Sequence, residues 1–304
     1  MDEKAIKVLM WEAWGALRAS YEPAIDPLIT QSGLDQHGWG LLLAALTFEP
    51  ETTTPAHLMV RVPYTSADEY LMRLSKVAGS GFLEEVSAGK FRLTPAGRTA
   101  VEAFIQVARE AMARADPLSP EVGDALASAL ERLVHTCVET PPPPSTWSIA
   151  VSMKLLPEKA PAMPYIEQAF SCLAAYRDDA HLAAWQTSSL SATTLEVLTL
   201  LWKKEVSTFD DITHKLVARG HPSQVYVDAL DELHSRGFII RSKDAIRLDD
   251  EVRLTNSGRQ FRKQIEVDTD RHFFKPWVSL SQAEKEELRT NLEKMRDGLK
   301  SEKK

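Results

Sequence analysis

Arg177, Asp178, Asp179 and His181 crowd four ionisable side chains into five positions midway along the chain. A carboxylate beside an imidazole can fix its tautomer and raise its proton affinity, which is what a general base needs. No serine or cysteine nucleophile stands at a spacing that would complete such a set. Downstream, Glu266, Thr269 and Asp270 recur at helical spacing on one face. They are placed to hydrogen-bond the Arg177, Asp179 and His181 cluster across an apolar interior, where polar groups must be paired. A helix cap and a satisfied core histidine account for the same residues without catalysis. The other histidines are scattered, and His135 with Cys137 makes only two ligands, too few for zinc. Cys137 and Cys172 supply no disulfide framework. Glycine-rich phosphate loops, dinucleotide fingerprints and zincin motifs are absent. The expectation is no metal, no cofactor and no enzyme, any activity having to centre on Asp179 and His181.

A second chemistry, the reading of DNA, is suggested by punctuation that occurs twice. Gly81-Phe82-Leu83 leads to Leu93-Thr94-Pro95-Ala96-Gly97-Arg98, and Gly237-Phe238-Ile239 leads to Leu254-Thr255-Asn256-Ser257-Gly258-Arg259. Upstream, Tyr70, Leu71, Leu74 and Val77 correspond to Tyr226, Val227, Leu230 and Leu233. The pattern implies a winged helix-turn-helix present twice. Such a unit reads base edges with residues near the start of its recognition helix and holds phosphates from elsewhere. In the first unit these residues are Thr65 and Ser66 at the helix start, Arg73 and Lys76 along it, Lys90 and Arg92 on the wing, and Arg61 on the preceding helix. In the second they are Ser223 and Gln224 at the helix start, with Arg241, Lys243 and Arg247 on the wing. Asp228, Asp231 and Glu232 on the second recognition helix would repel phosphate, so that unit reads as the weaker one. The net charge of -7 leaves DNA contact to a local basic patch.

The elements that must position these residues are mostly helical. The 304-residue chain has room for two domains, and 44% hydrophobic residues is an ordinary globular fraction. No apolar run is long enough for a membrane span, and the charged start Met1-Asp2-Glu3-Lys4 lacks signal-peptide character, so a cytoplasmic protein is expected. Helical periodicity predicts helices over 3–18, 23–31, 38–48, 54–61 and 66–79, strands over 82–86 and 90–94, and helices over 94–115 and 120–138. The prolines 141–144 form a stiff spacer. Domain boundaries follow: 1–140, a helical arm plus the first winged unit; 141–164, a proline-rich linker; and 165–304, the second winged unit with C-terminal helices. The second half predicts helices over 165–176, 178–187, 192–203, 207–219, 224–236 and 257–273. Its last helix carries Leu288, Leu292, Met295 and Leu299. By landmark spacing the second wing is about five residues longer than the first.

This order of arm, three-helix core, wing and long helix resembles the MarR-type winged helix-turn-helix fold. The second half is similar to the SalK family of helix-turn-helix proteins. That likeness rests on Tyr176-Arg177-Asp178-Asp179-Ala180-His181-Leu182-Ala183-Ala184 and on Ile265-Glu266-Val267-Asp268-Thr269-Asp270-Arg271 followed by Pro276-Trp277. The first resemblance implies tandem units forming a pseudo-dimer within one chain, or a homodimer, with recognition helices related by an approximate two-fold axis. It also implies a pocket for a small apolar effector, for which Trp11, Trp14 and Trp39 are suitable walls; core packing is the plainer reading of those residues. The expected fold is therefore mainly α with small β-wings, in tandem winged units. The expected function is a DNA-binding transcriptional regulator of double-stranded DNA, responsive to a small lipophilic ligand. The alternative is a winged-helix-derived ligand- or protein-binding module that no longer binds DNA.

Overall fold

The computed structural model describes residues 2–141, 145–241 and 251–301. In chain order the elements are α1 (Glu3–Ser32), α2 (Gln36–Phe48), α3 (Pro55–Arg61), α4 (Ala67–Gly79), β1 (Leu83–Ser87), β2 (Lys90–Leu93), α5 (Pro95–Arg114), α6 (Pro120–Glu139) and α7 (Trp147–Met153). They continue with α8 (Ala162–Trp185), α9 (Ala192–Lys203), α10 (Phe209–Lys215), α11 (Ser223–Ser235), β3 (Ile239–Arg241), β4 (Val252–Leu254), α12 (Asn256–Phe274) and α13 (Gln282–Ser301). The fold is mainly α with two small antiparallel wings. No helix of the described residues is long and apolar enough to cross a membrane. Residues 1–53, 74–179 and 273–304 form one compact unit, and 54–73 with 180–272 form the other. These units are discontinuous in sequence and do not follow the proline run, of which 142–144 lie outside the described residues.

In the first unit α1 packs against α5 and α13. Its buried stripe of Ile6, Leu9, Met10, Ala13, Leu17, Tyr21 and Ile25 runs unbroken past Pro23, and the helix itself continues through Pro27 to Ser32. The sequence predicted two helices here, separated before Pro23. A proline removes one helical hydrogen bond and crowds the preceding turn. Burial of Tyr21 and Ile25 on the same face offsets that cost, and one helix results. For a similar reason α8 is one helix rather than the two expected. Its residues from Ala162 to Ala183 are mostly buried, and no helix breaker separates Tyr176 from Asp178. The short helix α7 was not anticipated at all. In the wing, Leu83 pairs with Leu93, and Thr53 adds a one-residue third strand by exchanging hydrogen bonds with Phe91 at 2.7 and 2.9 Å.

The second unit gathers Leu198, Ile212, Tyr226, Leu230, Ile239 and Leu254 into one core. Ile239 pairs with Leu254, and Thr208, which caps α10 in a capping box, bridges to Glu251. Residues 242–250, with Lys243 and Arg247 that the sequence reading assigned to the wing, lie outside the described residues.

The repeated motif serves the same purpose in both places. The Thr94 hydroxyl donates to the Gly81 carbonyl at 2.7 Å and accepts the Gly97 amide at 3.0 Å. The Thr255 hydroxyl donates to Gly237 at 2.8 Å and accepts the Gly258 amide at 3.0 Å. A Cβ on Gly97 would overlap the Phe82 carbonyl, and one on Gly258 would overlap that of Phe238. Glycine is required because the long helix starts directly on the backbone that enters the wing.

Candidate functional site

The start of α4 is occupied by the chain itself. Ser66 N donates to the Arg219 carbonyl at 2.9 Å, and the Ser66 hydroxyl donates to the Gly220 carbonyl at 3.0 Å. The Arg219 guanidinium donates to Thr65 Oγ1 at 3.2 Å and to Glu196 at 2.9 and 2.5 Å. His221 Nε2 donates to the Tyr64 carbonyl at 2.9 Å. Arg73 donates to the Ala218 carbonyl and pairs with Glu69 at 2.7 Å. Thr65 is 1% exposed. The turn before α4 and the turn before α11 therefore clasp one another in antiparallel register, 64 with 221 and 66 with 219. Thr65, Ser66 and Arg73, chosen from the sequence as DNA contacts, are spent on this contact. Burial raises the Glu196 carboxyl against the pull of Arg219.

Two other cations of the first half also stand beside carboxylates. Lys76 Nζ lies 3.5 Å from Asp35, and Arg92 lies 2.5 Å from Glu84 across the wing. Both pairs are exposed, where screening leaves each pair little energy. Lys90 is exposed on the same wing, and Arg61 is half-buried at the end of α3. On α11, Ser223 and Gln224 are exposed, and Gln224 Nε2 donates to Asp228 at 2.8 Å. Arg241 is mostly covered and pairs with Asp231. Lys243 is outside the described residues.

A cavity of about 680 Å³ opens in the first unit among α1, α2, α5 and α8. Trp14 and Trp39 line it; Trp11 does not, its ring standing 5.7 Å from that of Trp14. Phe104 stacks on Trp39 with ring centroids 4.6 Å apart. Two charged residues unremarked in the sequence also line the cavity, Glu167 of α8 and Arg109 of α5. Glu167 Oε1 accepts from Trp14 Nε1 at 3.3 Å and from the Tyr21 hydroxyl at 3.2 Å. Burial holds the Glu167 carboxyl above the usual carboxylate range, and those two hydrogen bonds pull against the shift. Burial and the Glu167 charge both push the Tyr21 phenol up. Burial lowers the Arg109 guanidinium, with Glu167 opposing; Arg109 donates to the Leu155 carbonyl at 3.1 Å. A sequence signal for this site existed: Glu167 is the only charged side chain between Lys159 and Arg177.

The polar motif divides its bonds. His181 Nδ1 lies 3.1 Å from Thr269 Oγ1, whose hydroxyl donates to the Ile265 carbonyl at 2.7 Å; His181 Nδ1 is then the donor of the pair. Glu266 pairs with Arg262 at 2.8 Å. Asp179 spends its two oxygens on the Ser148 and Ile149 amides, each at 3.0 Å, and so caps the start of α7. Burial raises the Asp179 carboxyl while these bonds counter it. Arg177 is half-buried on α8, and Asp270 lies on α12. Among the described residues no three of His, Cys, Asp and Glu stand close enough to hold a metal.

Comparison with family models matches residues 86–303 to a helix-turn-helix family. The chain belongs to this helix-turn-helix family. No curated protein and no solved structure matches the chain. The family match begins inside the first wing and contains the whole α9–α10–α11 and β3–β4 succession. The match of this helix-turn-helix protein thus takes in the whole second winged unit, where the sequence alone gave DNA contact the weaker case. The cavity residues Arg109 and Glu167 fall within the matched region; Trp14 and Trp39 precede it.

Proposed function

We propose that the chain is a DNA-binding transcriptional regulator made of tandem winged helix-turn-helix units, with the aromatic cavity as its effector site. The observation that carries this reading is the exposed start of α11, Ser223 and Gln224, in a chain of helix-turn-helix family. Base readout depends on that part of the helix. The two sets of elements from α2 to α5 and from α9 to α12 follow the same order, and the antiparallel clasp of their turns is what an internal pseudo-dimer would produce. The clasp changes which unit reads DNA. The first recognition helix supports the second, and α11 makes the contact.

A second reading, a module that has lost DNA binding, is favoured by one observation: Thr65, Ser66 and Arg73 are occupied within the chain. A salt titration of the full chain on mixed genomic DNA fragments separates the two. The regulator gives binding that weakens steeply with salt, and Ser223→Ala with Gln224→Ala relaxes sequence preference. Absence of binding at low salt would overturn the regulator and favour the module.

A further inference from the structure

We propose that the cavity takes a small aromatic zwitterion, its ammonium on Glu167, its carboxylate on Arg109 and its ring against Trp14, Trp39 and Phe104. The proposal rests on reading the cavity as an effector site and names the chemistry of the effector.

Glu167 lies deep in the unit, yet it keeps an accessible edge because it lines the cavity. Its Oε1 is held by two neutral donors, and Oε2 receives no hydrogen bond from the described residues. Arg109 carries five N–H donors, and among the described residues only the Leu155 carbonyl takes one. The two side chains sense each other's charge without forming an ion pair within 4 Å. A half-buried acid and base that line one cavity and do not neutralise each other leave a place for both ends of a zwitterion. A simple organic cation would meet Arg109 and, at the rim, Arg18; a simple anion would meet Glu167, Glu22 and Asp26. A purely apolar effector would leave the polar atoms of Glu167 and Arg109 desolvated and unanswered, which is costly. The cavity volume of about 680 Å³ is in the range of small-molecule pockets and exceeds what one aromatic amino acid needs. The aromatic walls supply flat apolar area and a negative ring face for an ammonium.

Titration calorimetry on the full chain, without DNA, tests this. The probes are L-phenylalanine, L-tyrosine and L-tryptophan, with phenethylamine and phenylpropionate as analogues lacking one charge. At least one amino acid should bind, and each phenyl analogue should bind at least about tenfold more weakly than its parent, the loss of one charged hydrogen bond. In Glu167→Gln the penalty for removing the ammonium should vanish, and in Arg109→Met the penalty for removing the carboxylate should vanish. Equal binding of parent and analogues, penalties unaltered by these variants, or no heat with any amino acid at millimolar concentration overturns the proposal. Because no DNA is present, failure to bind DNA would overturn the regulator and leave this site standing.

Discussion

Gly97 and Gly258 show how a single missing side chain fixes the junction between a wing and its long helix. Each lies directly on the carbonyl of the phenylalanine that opens the wing, Phe82 or Phe238. The obstacle is backbone, which cannot swing aside as a flexible side chain can. Gly97→Ala should therefore cost about 1–3 kcal/mol, the range for forced overpacking. Urea unfolding of the variant measures it; a loss below a few tenths of that would mean that α5 can slide off the wing. Glu167 makes the opposite case. Its carboxyl titrates higher in the folded chain than in the unfolded one, so folding favours its protonated form. Below the ordinary glutamate range both states are protonated and no penalty exists. As pH rises through the raised folded value the penalty becomes complete. Glu167→Gln keeps a carbonyl for Trp14 and Tyr21, so it should melt higher than the parent at neutral pH, with the gain disappearing in acid. A gain that persists at low pH would assign the effect to packing. A residue whose charged form costs stability on folding is the kind kept for what it binds.

At the scale of elements, the turn before α4 and the turn before α11 hold each other through Arg219, Gly220 and His221. Gly220 adopts φ +68°, where other residues are strained, and a Cβ there would also overlap Glu69. Gly220→Val should open the clasp while leaving the α11 core of Tyr226, Leu230 and Leu233 intact. Hydrogen exchange at the Ser66 amide, now donated to Arg219, should then accelerate by at least tenfold, with the α11 amides unchanged. Equal acceleration in both would show that the clasp and the core unfold together. Most helices could be read from the sequence because their apolar positions repeat and their caps are local: Asp35, Thr94, Ser191 and Thr208 each accept an amide at the predicted helix start. Continuity of α1 and α8 could not, because it depends on burial against other elements rather than on Pro23 or Asp178 themselves. The clasp was illegible for the same reason. Thr65 and Ser66 carry the chemistry of a DNA contact and of a hydrogen bond to a carbonyl alike, and only the fold decides between them. Trp11, Trp14 and Trp39 stood as pocket walls only through the MarR-type resemblance, with core packing the plainer reading; Trp14 and Trp39 line the cavity and Trp11 does not, and Arg109 joins from a distant helix with no local pattern.

Across the whole molecule, acid outweighs base, and the net charge is -7. Where a paired cation is to hold a phosphate, it must exchange its internal partner for it. On the first wing Arg92 faces Glu84 across the strands at 2.5 Å, with both side chains about half exposed. An exposed pair of this kind contributes between nothing and about 1 kcal/mol, so a phosphate can take the arginine over at little cost. Lys90, on the same wing, has its charge more fully available to the solvent side. If the wing touches DNA, Lys90→Ala should reduce the slope of log affinity against log salt by about one phosphate's worth, near 0.9. Arg92→Ala should reduce it by less, because the exchange with Glu84 already offsets part of the gain. Glu84→Gln distinguishes this from a wing that never approaches DNA. Removing the competing carboxylate should raise affinity several-fold at low salt, for every sequence alike, and the increase should fade as salt screens the wing. Unchanged affinity in Glu84→Gln together with an unchanged slope in Lys90→Ala would remove the first wing from the interface and leave α11 to bind alone.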